Sequence, residues 1–246
     1  MIRVGAAYTL ELHELLGEGW FGEVFKTSLV GMPGNYATKF FPKSQVDPGK
    51  YFDEAAKLHT ARNPNVVNFV WTAECQDPGA THLGDHSHIQ IVMEFYPGGS
   101  VDKAIPPLGM SNSSARHVII ETVKGLACCH SRDILHLDIK PNNLLVRSDG
   151  GVVLSDFGQA LSVSPATGVA SGVDHELYKY HQPPETVLSP QSDFWQLGLT
   201  YYRLLTAASK RDIWGMRGPD PRGLRDRLIR PIHCSNKTWN LIRKLL

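Results

Sequence analysis

Cysteine is scarce in this chain: 246 residues hold four, Cys75, Cys128, Cys129 and Cys234. None stands in a C-x-x-C pair and two are immediate neighbours, a spacing that suits reduced thiols rather than a disulfide framework or a zinc site. A surplus of charge is missing too. Lys and Arg number 25 against 24 Asp and Glu, a formal net charge of +1, so no global field favours nucleic acid or an anionic membrane, and any phosphate binding must be local. No window approaches the roughly 18 uninterrupted apolar residues of a membrane span. The first residues carry Arg3, Glu11, His13 and Glu14 among their apolar neighbours, which leaves no signal-peptide core. The expectation is a soluble intracellular protein, cytoplasmic or nuclear, with neither a nucleic-acid nor a membrane partner. Internal repeats and low-complexity tracts are absent as well.

What is present falls into two parts. From residue 8 to about 41 the chain reads as short strands around Tyr8, Val24 and 36–41, punctuated by Gly and Pro. A helix follows, with Phe52, Ala55, Ala56 and His59 on one face and Asn63-Pro64-Asn65 as its stop. The segments 66–71 and 89–95 are apolar enough for two more strands. The connector between them holds His82, His86 and His88; without a partner cluster these read as a solvated loop rather than metal ligands. Pro97-Gly98-Gly99 marks a linker, after which the periodicity turns helical at 112–131, 191–207 and 236–246. The class is therefore α+β, with a β-rich N-terminal part over 1–95, holding five strands and one helix, and a mainly helical part over 96–246.

The motifs lie along this plan in an order that phosphate chemistry requires. Gly17-Glu18-Gly19-Trp20-Phe21-Gly22-Glu23-Val24 gives G-x-G-x-x-G-x-V between two strands, where residues without Cβ let backbone amides approach a polyphosphate. A dinucleotide fingerprint needs a helix after the third glycine, and here a strand follows. Lys39 stands in the next strand as Ala37-x-Lys39, with Glu54 15 residues on in the helix; such a pair can hold an ammonium against α- and β-phosphates. His136-Leu137-Asp138-Ile139-Lys140-Pro141-Asn142-Asn143 is followed, 13 residues after Asn143, by Asp156-Phe157-Gly158. Phosphoryl transfer needs an acceptor for a hydroxyl proton, a positive charge on the moving phosphate and oxygen ligands for Mg²⁺. Asp138, Lys140, Asn143 and Asp156 supply these in order.

With these residues in hand the chain resembles the eukaryotic-type protein kinases, serine/threonine type, over nearly its whole length. The resemblance implies a bilobal protein-kinase-like fold, use of ATP and Mg²⁺, and a protein substrate. By its motifs, Asp138, Lys140, Lys39 and Glu54 are catalytic, and Asn143 and Asp156 hold the metal. The glycine loop covers the nucleotide. Leu16, Val24, Ala37 and Leu145 would line the adenine pocket, Met93 looks like the gatekeeper, and the backbone at Glu94 and Tyr96 would bond the base. His136, Phe157 and Leu58 look like an apolar spine. Pro183-Pro184-Glu185 and Asp193-Phe194-Trp195-Gln196-Leu197-Gly198 resemble the end of an activation segment and the start of a central helix, elements that small-molecule kinases lack. Lysine two residues after Asp138 points to serine or threonine as acceptor.

The departures matter. Leu137 stands where many members carry an arginine that meets an activation-segment phosphate, so activity without that phosphate is expected, and Ser162, Ser164, Thr167 and Ser171 read mostly as plain loop hydroxyls. The chain stops before the late arginine element that usually meets the counterpart of Glu185, which implies an abbreviated second lobe and a substitute from 217–230 or a looser packing. These features are also reminiscent of compact kinases of large DNA viruses. A scaffolding pseudokinase and a small-molecule kinase are the competing readings; the first is disfavoured because Lys39, Asp138, Asn143 and Asp156 are all kept.

Overall fold

The structure is a computed structural model that describes residues 2–4, 8–19, 22–42, 48–76, 87–164, 167, 183–184, 187–217 and 223–246. It divides into two compact units, Met1–Pro97 and Gly98–Leu246.

The first unit is a six-stranded sheet, all antiparallel, in the order β1-β2-β3-β4-β6-β5. Its strands are β1 (Ile2–Val4), β2 (Tyr8–Gly19), β3 (Gly22–Leu29), β4 (Tyr36–Pro42), β5 (Phe69–Gln76) and β6 (Ser87–Glu94). The five expected strands are there, and the short β1 is added at the edge beside β2. The strand expected at 66–71 begins later. Asn63 turns the chain there, its carbonyl accepting from Val66 N–H and its side chain from Asn65 N–H, so Val66 and Val67 are buried as part of a turn before the strand starts.

Helix α1 (Pro48–Thr60) packs on this sheet, and here the expected face is corrected. Phe52 is 43 % exposed, and Ala56 and His59 are exposed with it. The buried stripe is Tyr51, Glu54, Ala55 and Leu58, spaced i, i+3, i+4, i+7 as a helix face requires. A periodicity reading passes over it because it contains a carboxylate. Tyr51 anchors the stripe, its ring 3.9 Å from that of Phe41. Residues alternate across β4, so Phe40 points the other way, into a core with Leu10 and Leu29. A second correction concerns His88: it is fully buried within β6, opposite Pro42 and Cys75, because the strand begins before the connector was expected to end. His82 and His86 lie outside the described residues.

The second unit holds α2 (Asn112–His130), α3 (Pro190–Thr206), α4 (Lys210–Arg217), α5 (Leu224–Arg227) and α6 (Asn236–Leu245), with strands β7 (Ile134–Leu135), β8 (Leu144–Val146), β9 (Val152–Leu154) and β10 (Leu161–Ser162). The strands pair as β7 with β10 and β8 with β9. Serines start three of these helices: Ser111 and Ser235 accept from the amides of Ser114 and Thr238, and Ser189 forms a capping box with Ser192 ahead of Pro190. Helix α6 lies close against α3 at Gly198, where an added Cβ would come within 2.9 Å of Leu245. Among the described residues no helix is long and apolar enough to cross a membrane.

Candidate active site

In the first unit the glycine loop is a hairpin tip. Gly19 ends β2 and Gly22 opens β3, directly paired. Gly22 has φ +143°, and a Cβ there would sit 1.9 Å from the carbonyl oxygen of Phe40, so the fold itself demands this glycine. At Gly17 a Cβ would meet nothing; its own packing gives no reason for a glycine. Val24 pairs with Lys39, and Ala37 pairs with Met93. Directly opposed residues share a sheet face, as do residues two apart, so Val24, Ala37, Lys39 and Met93 line one face, the one α1 packs against. Leu16 is half-buried on β2, next to Gly17. Lys39 Nζ lies 3.0 and 3.3 Å from the two carboxylate oxygens of Glu54, with side chains only 10 % and 5 % exposed, and 5.0 Å from the ring centre of Phe41. Leu58 is buried one turn further along α1. Glu94 closes β6, and Tyr96 follows with its side chain buried.

In the second unit the segment 136–143 is held by a row of polar side chains on α3. Asp193 takes the N–H of His136 at 2.9 Å on Oδ2 and that of Leu137 at 2.7 Å on Oδ1, and meets His130 Nε2 at 2.8 Å. Gln196 accepts from Ile139 N–H and donates to Leu137 C=O, both at 2.8 Å. The hydroxyl of Thr200 donates to the carbonyl of Ile139 at 3.0 Å. All three are fully buried, and every bond is one that an unassisted loop would leave unmade. The sequence reading held Asp193 and Gln196 within its motif, without assigning either a bond, and missed His130 and Thr200. Polar residues at i, i+3 and i+7, on one face of α3, were the available signal.

Held this way, Asp138 is 4 % exposed. Its Oδ2 accepts from Lys140 Nζ at 2.6 Å and from Asn143 Nδ2 at 2.8 Å, and the same amide nitrogen donates to the Asp138 carbonyl at 2.9 Å. His136 donates from Nε2 to Ser155 C=O at 3.0 Å and takes the Asp138 N–H on Nδ1 at 3.3 Å, which defines its neutral tautomer. Burial holds its pKa below the ordinary value, against the opposing pull of Asp193, Asp138 and Asp156. Its ring meets that of Phe157 edge-on at 4.8 Å. Ser155, bonded to the carbonyl of Asn143 through its N–H at 2.9 Å and hydroxyl at 3.0 Å, ties Asp156 to the same loop. Leu145 lies on β8, bridged to Ser100. Cys129 is a free, buried cysteine, a reduced thiol as the spacing suggested, and burial and then Asp193 push its pKa up.

Leu137 is fully buried and takes φ +62°. It packs with Leu135, Val163 and Leu188, and Leu161 lies against this cluster. Ser162, Ser164 and Thr167 are exposed. Glu185 and Ser171 lie outside the described residues.

A model of the protein kinase domain matches residues 10–214. Among curated proteins the chain is similar to a probable serine/threonine-protein kinase of Dictyostelium discoideum, 29 % identical over 215 residues that cover 84 % of this chain and 40 % of that protein. It is similar also to calcium-dependent protein kinase SK5 of Glycine max, at 25 % over 96 % of this chain and 47 % of that protein. With mitogen-activated protein kinase kinase kinase ANP1 of Arabidopsis thaliana the figures are 27 %, 78 % and 30 %. The chain thus spans less than half the length of these relatives. A match over residues 10–214, enclosing the Lys39–Glu54 pair, the Asp138 loop and Asp156, identifies this chain as a member of the protein kinase domain family.

Proposed function

We propose that this chain transfers the γ-phosphoryl group of ATP to serine or threonine hydroxyls of protein substrates, and that it needs no phosphate on segment 158–182 to do so. The observation that carries the first part is the inequality of the two Asp138 oxygens. Both donors, Lys140 and Asn143, meet Oδ2, while Oδ1 is buried with no hydrogen-bond partner among the described residues. An unpartnered buried carboxylate oxygen is costly, and a substrate hydroxyl would supply the missing donor. Oδ1 then takes the hydroxyl proton as the hydroxyl oxygen bonds to the γ-phosphorus and the bond from that phosphorus to the β-phosphate oxygen breaks. Lys140 brings a positive charge beside the transferred group. The Lys39–Glu54 pair aims a buried ammonium at the α- and β-phosphates, and the open space at Gly17 leaves room for backbone to approach them.

Asn143 spends its amide nitrogen on Asp138, which leaves its oxygen for a cation, and Asp156 lies near enough to pull on His136. Two oxygen donors completed by phosphate oxygens suit Mg²⁺, which rarely relies on an all-protein cage. When bound, Mg²⁺ neutralises charge on the phosphates. Serine or threonine as acceptor is supported by Lys140 and by the name of the relative from Dictyostelium discoideum. Independence from segment phosphorylation is supported by Leu137, whose apolar cluster fills the position from which an arginine would reach a phosphate.

The test is incubation with labelled ATP, Mg²⁺ and a peptide library, beside an Asp138→Asn control. The wild type should label serine- or threonine-containing peptides. Asp138→Asn should lose at least about a hundredfold in kcat while ATP affinity stays within about twofold. Retained turnover in the variant would remove Asp138 from its role.

A further inference from the structure

The residues 94–96 carry side-chain contacts that nucleotide binding by their backbone does not explain. Tyr96 is 7 % exposed, so its ring is folded into the first unit rather than offered to a ligand. Its hydroxyl receives the backbone N–H of Asn68 at 3.2 Å and lies 3.4 Å from Glu94 Oε2. The carbonyl of the same Asn68 accepts the N–H of Glu94 at 2.9 Å. Asn68 thereby holds residue 94 by main chain and residue 96 by a tyrosine hydroxyl. Phe95 is engaged by β3: Lys26 Nζ lies 5.0 Å from its ring centre. Lys26 pairs with Ala37 across the sheet and Ala37 with Met93, so this lysine stands on the same face as the residues expected to line the adenine pocket.

We infer that Tyr96, assisted by Lys26, is a positioning residue for base recognition, pinning residues 94–96 between Asn68 and β3 so that their main chain is fixed before a purine arrives. The inference rests on the reading of this site as an ATP site. Tyr96 is buried, Phe95 is half-buried beside Lys26, and the exposed Glu94 carboxylate meets the Tyr96 hydroxyl, so the side chains at all three positions are tied within the unit while the backbone between them is held in place. Fixing that backbone in advance removes an ordering penalty from binding.

Two probes separate the base from the phosphates: adenosine, and tripolyphosphate with Mg²⁺. Titrating each into wild type and Tyr96→Phe, the variant should bind adenosine about fivefold more weakly, as loss of one hydrogen bond predicts, and tripolyphosphate within about twofold of wild type. Lys26→Met, at a part-exposed position, should weaken adenosine about twofold. This variant decides the matter if Tyr96→Phe does not fold. Hydrogen exchange at the Asn68 amide reports the tether itself and should speed up in Tyr96→Phe. Faster exchange there with unchanged adenosine affinity would make the tether structural only and overturn the inference. A wild type that binds tripolyphosphate but shows no adenosine binding would instead overturn the ATP-site reading, and this inference with it.

Discussion

The carboxylate of Asp193 accepts the backbone N–H of Leu137 at 2.7 Å, and that bond helps hold a leucine at φ +62°, a conformation that costs an L-residue roughly 1 to 2 kcal/mol. The same carboxylate takes the N–H of His136 and meets His130. Asp193→Ala would leave buried donors at 136 and 137 unmet, each worth about 1 to 3 kcal/mol. Urea unfolding should show a loss of about 3 kcal/mol or more, with a smaller loss for Asp193→Asn, which keeps one acceptor. Equal stability of Asp193→Ala and wild type would mean that the loop is held by Gln196 and Thr200 alone.

The Lys39–Glu54 pair separates stability from chemistry. Lys39→Met takes the cation away from the buried Glu54 carboxylate and should cost about 3 kcal/mol, besides weakening productive ATP binding. Adding Glu54→Gln removes the buried negative charge, so the double variant should regain most of the stability and none of the activity. Recovery of both would show the pair to be structural. Asp156→Asn should act elsewhere, raising the Mg²⁺ concentration needed for half-maximal rate; an unchanged requirement would remove Asp156 as a ligand.

Leu137 bears on regulation. Its side chain ends in an apolar cluster with Val163 and Leu188, so a phosphate on the exposed hydroxyls nearby gains no partner from position 137. Phosphatase treatment, or joint replacement of Ser162, Ser164, Thr167 and Ser171 by alanine, should change kcat/KM by less than about threefold, under about 0.7 kcal/mol. A hundredfold loss would show that another cation has taken over the latch.

His136 sets a pH window. Burial lowers its folded pKa below the ordinary 6.5, so between the two values the unfolded chain carries a proton that the folded chain refuses. Stability therefore rises with pH across that window and is lost as pH falls below about 6.5, by at most about 1.4 kcal/mol per pH unit for this group. Urea unfolding at pH 7.5, 6.5 and 5.5 should show that slope in wild type and a shallower one in His136→Phe. Parallel slopes would exclude His136 as the group responsible.

The kinase motifs were legible because phosphate chemistry demands particular residue types at short spacings: three glycines at a hairpin, a lysine and asparagine just after an aspartate, and a second aspartate two residues past the end of β9. Strand and helix order was legible for a related reason, since alternation and 3.6-residue periodicity are local. The sequence by itself thus determined the family and the order of the parts. Tertiary structure alone decided which face of α1 is buried, because Glu54 is tolerated there only with Lys39 beside it. It decided too that His88 lies inside the sheet and that Leu137 joins Leu188, 51 residues on. The polar row Asp193, Gln196 and Thr200 belongs with these. Each depends on a partner distant in the chain that cancels a charge, fills a gap or accepts an N–H, and no local pattern encodes where that partner will be.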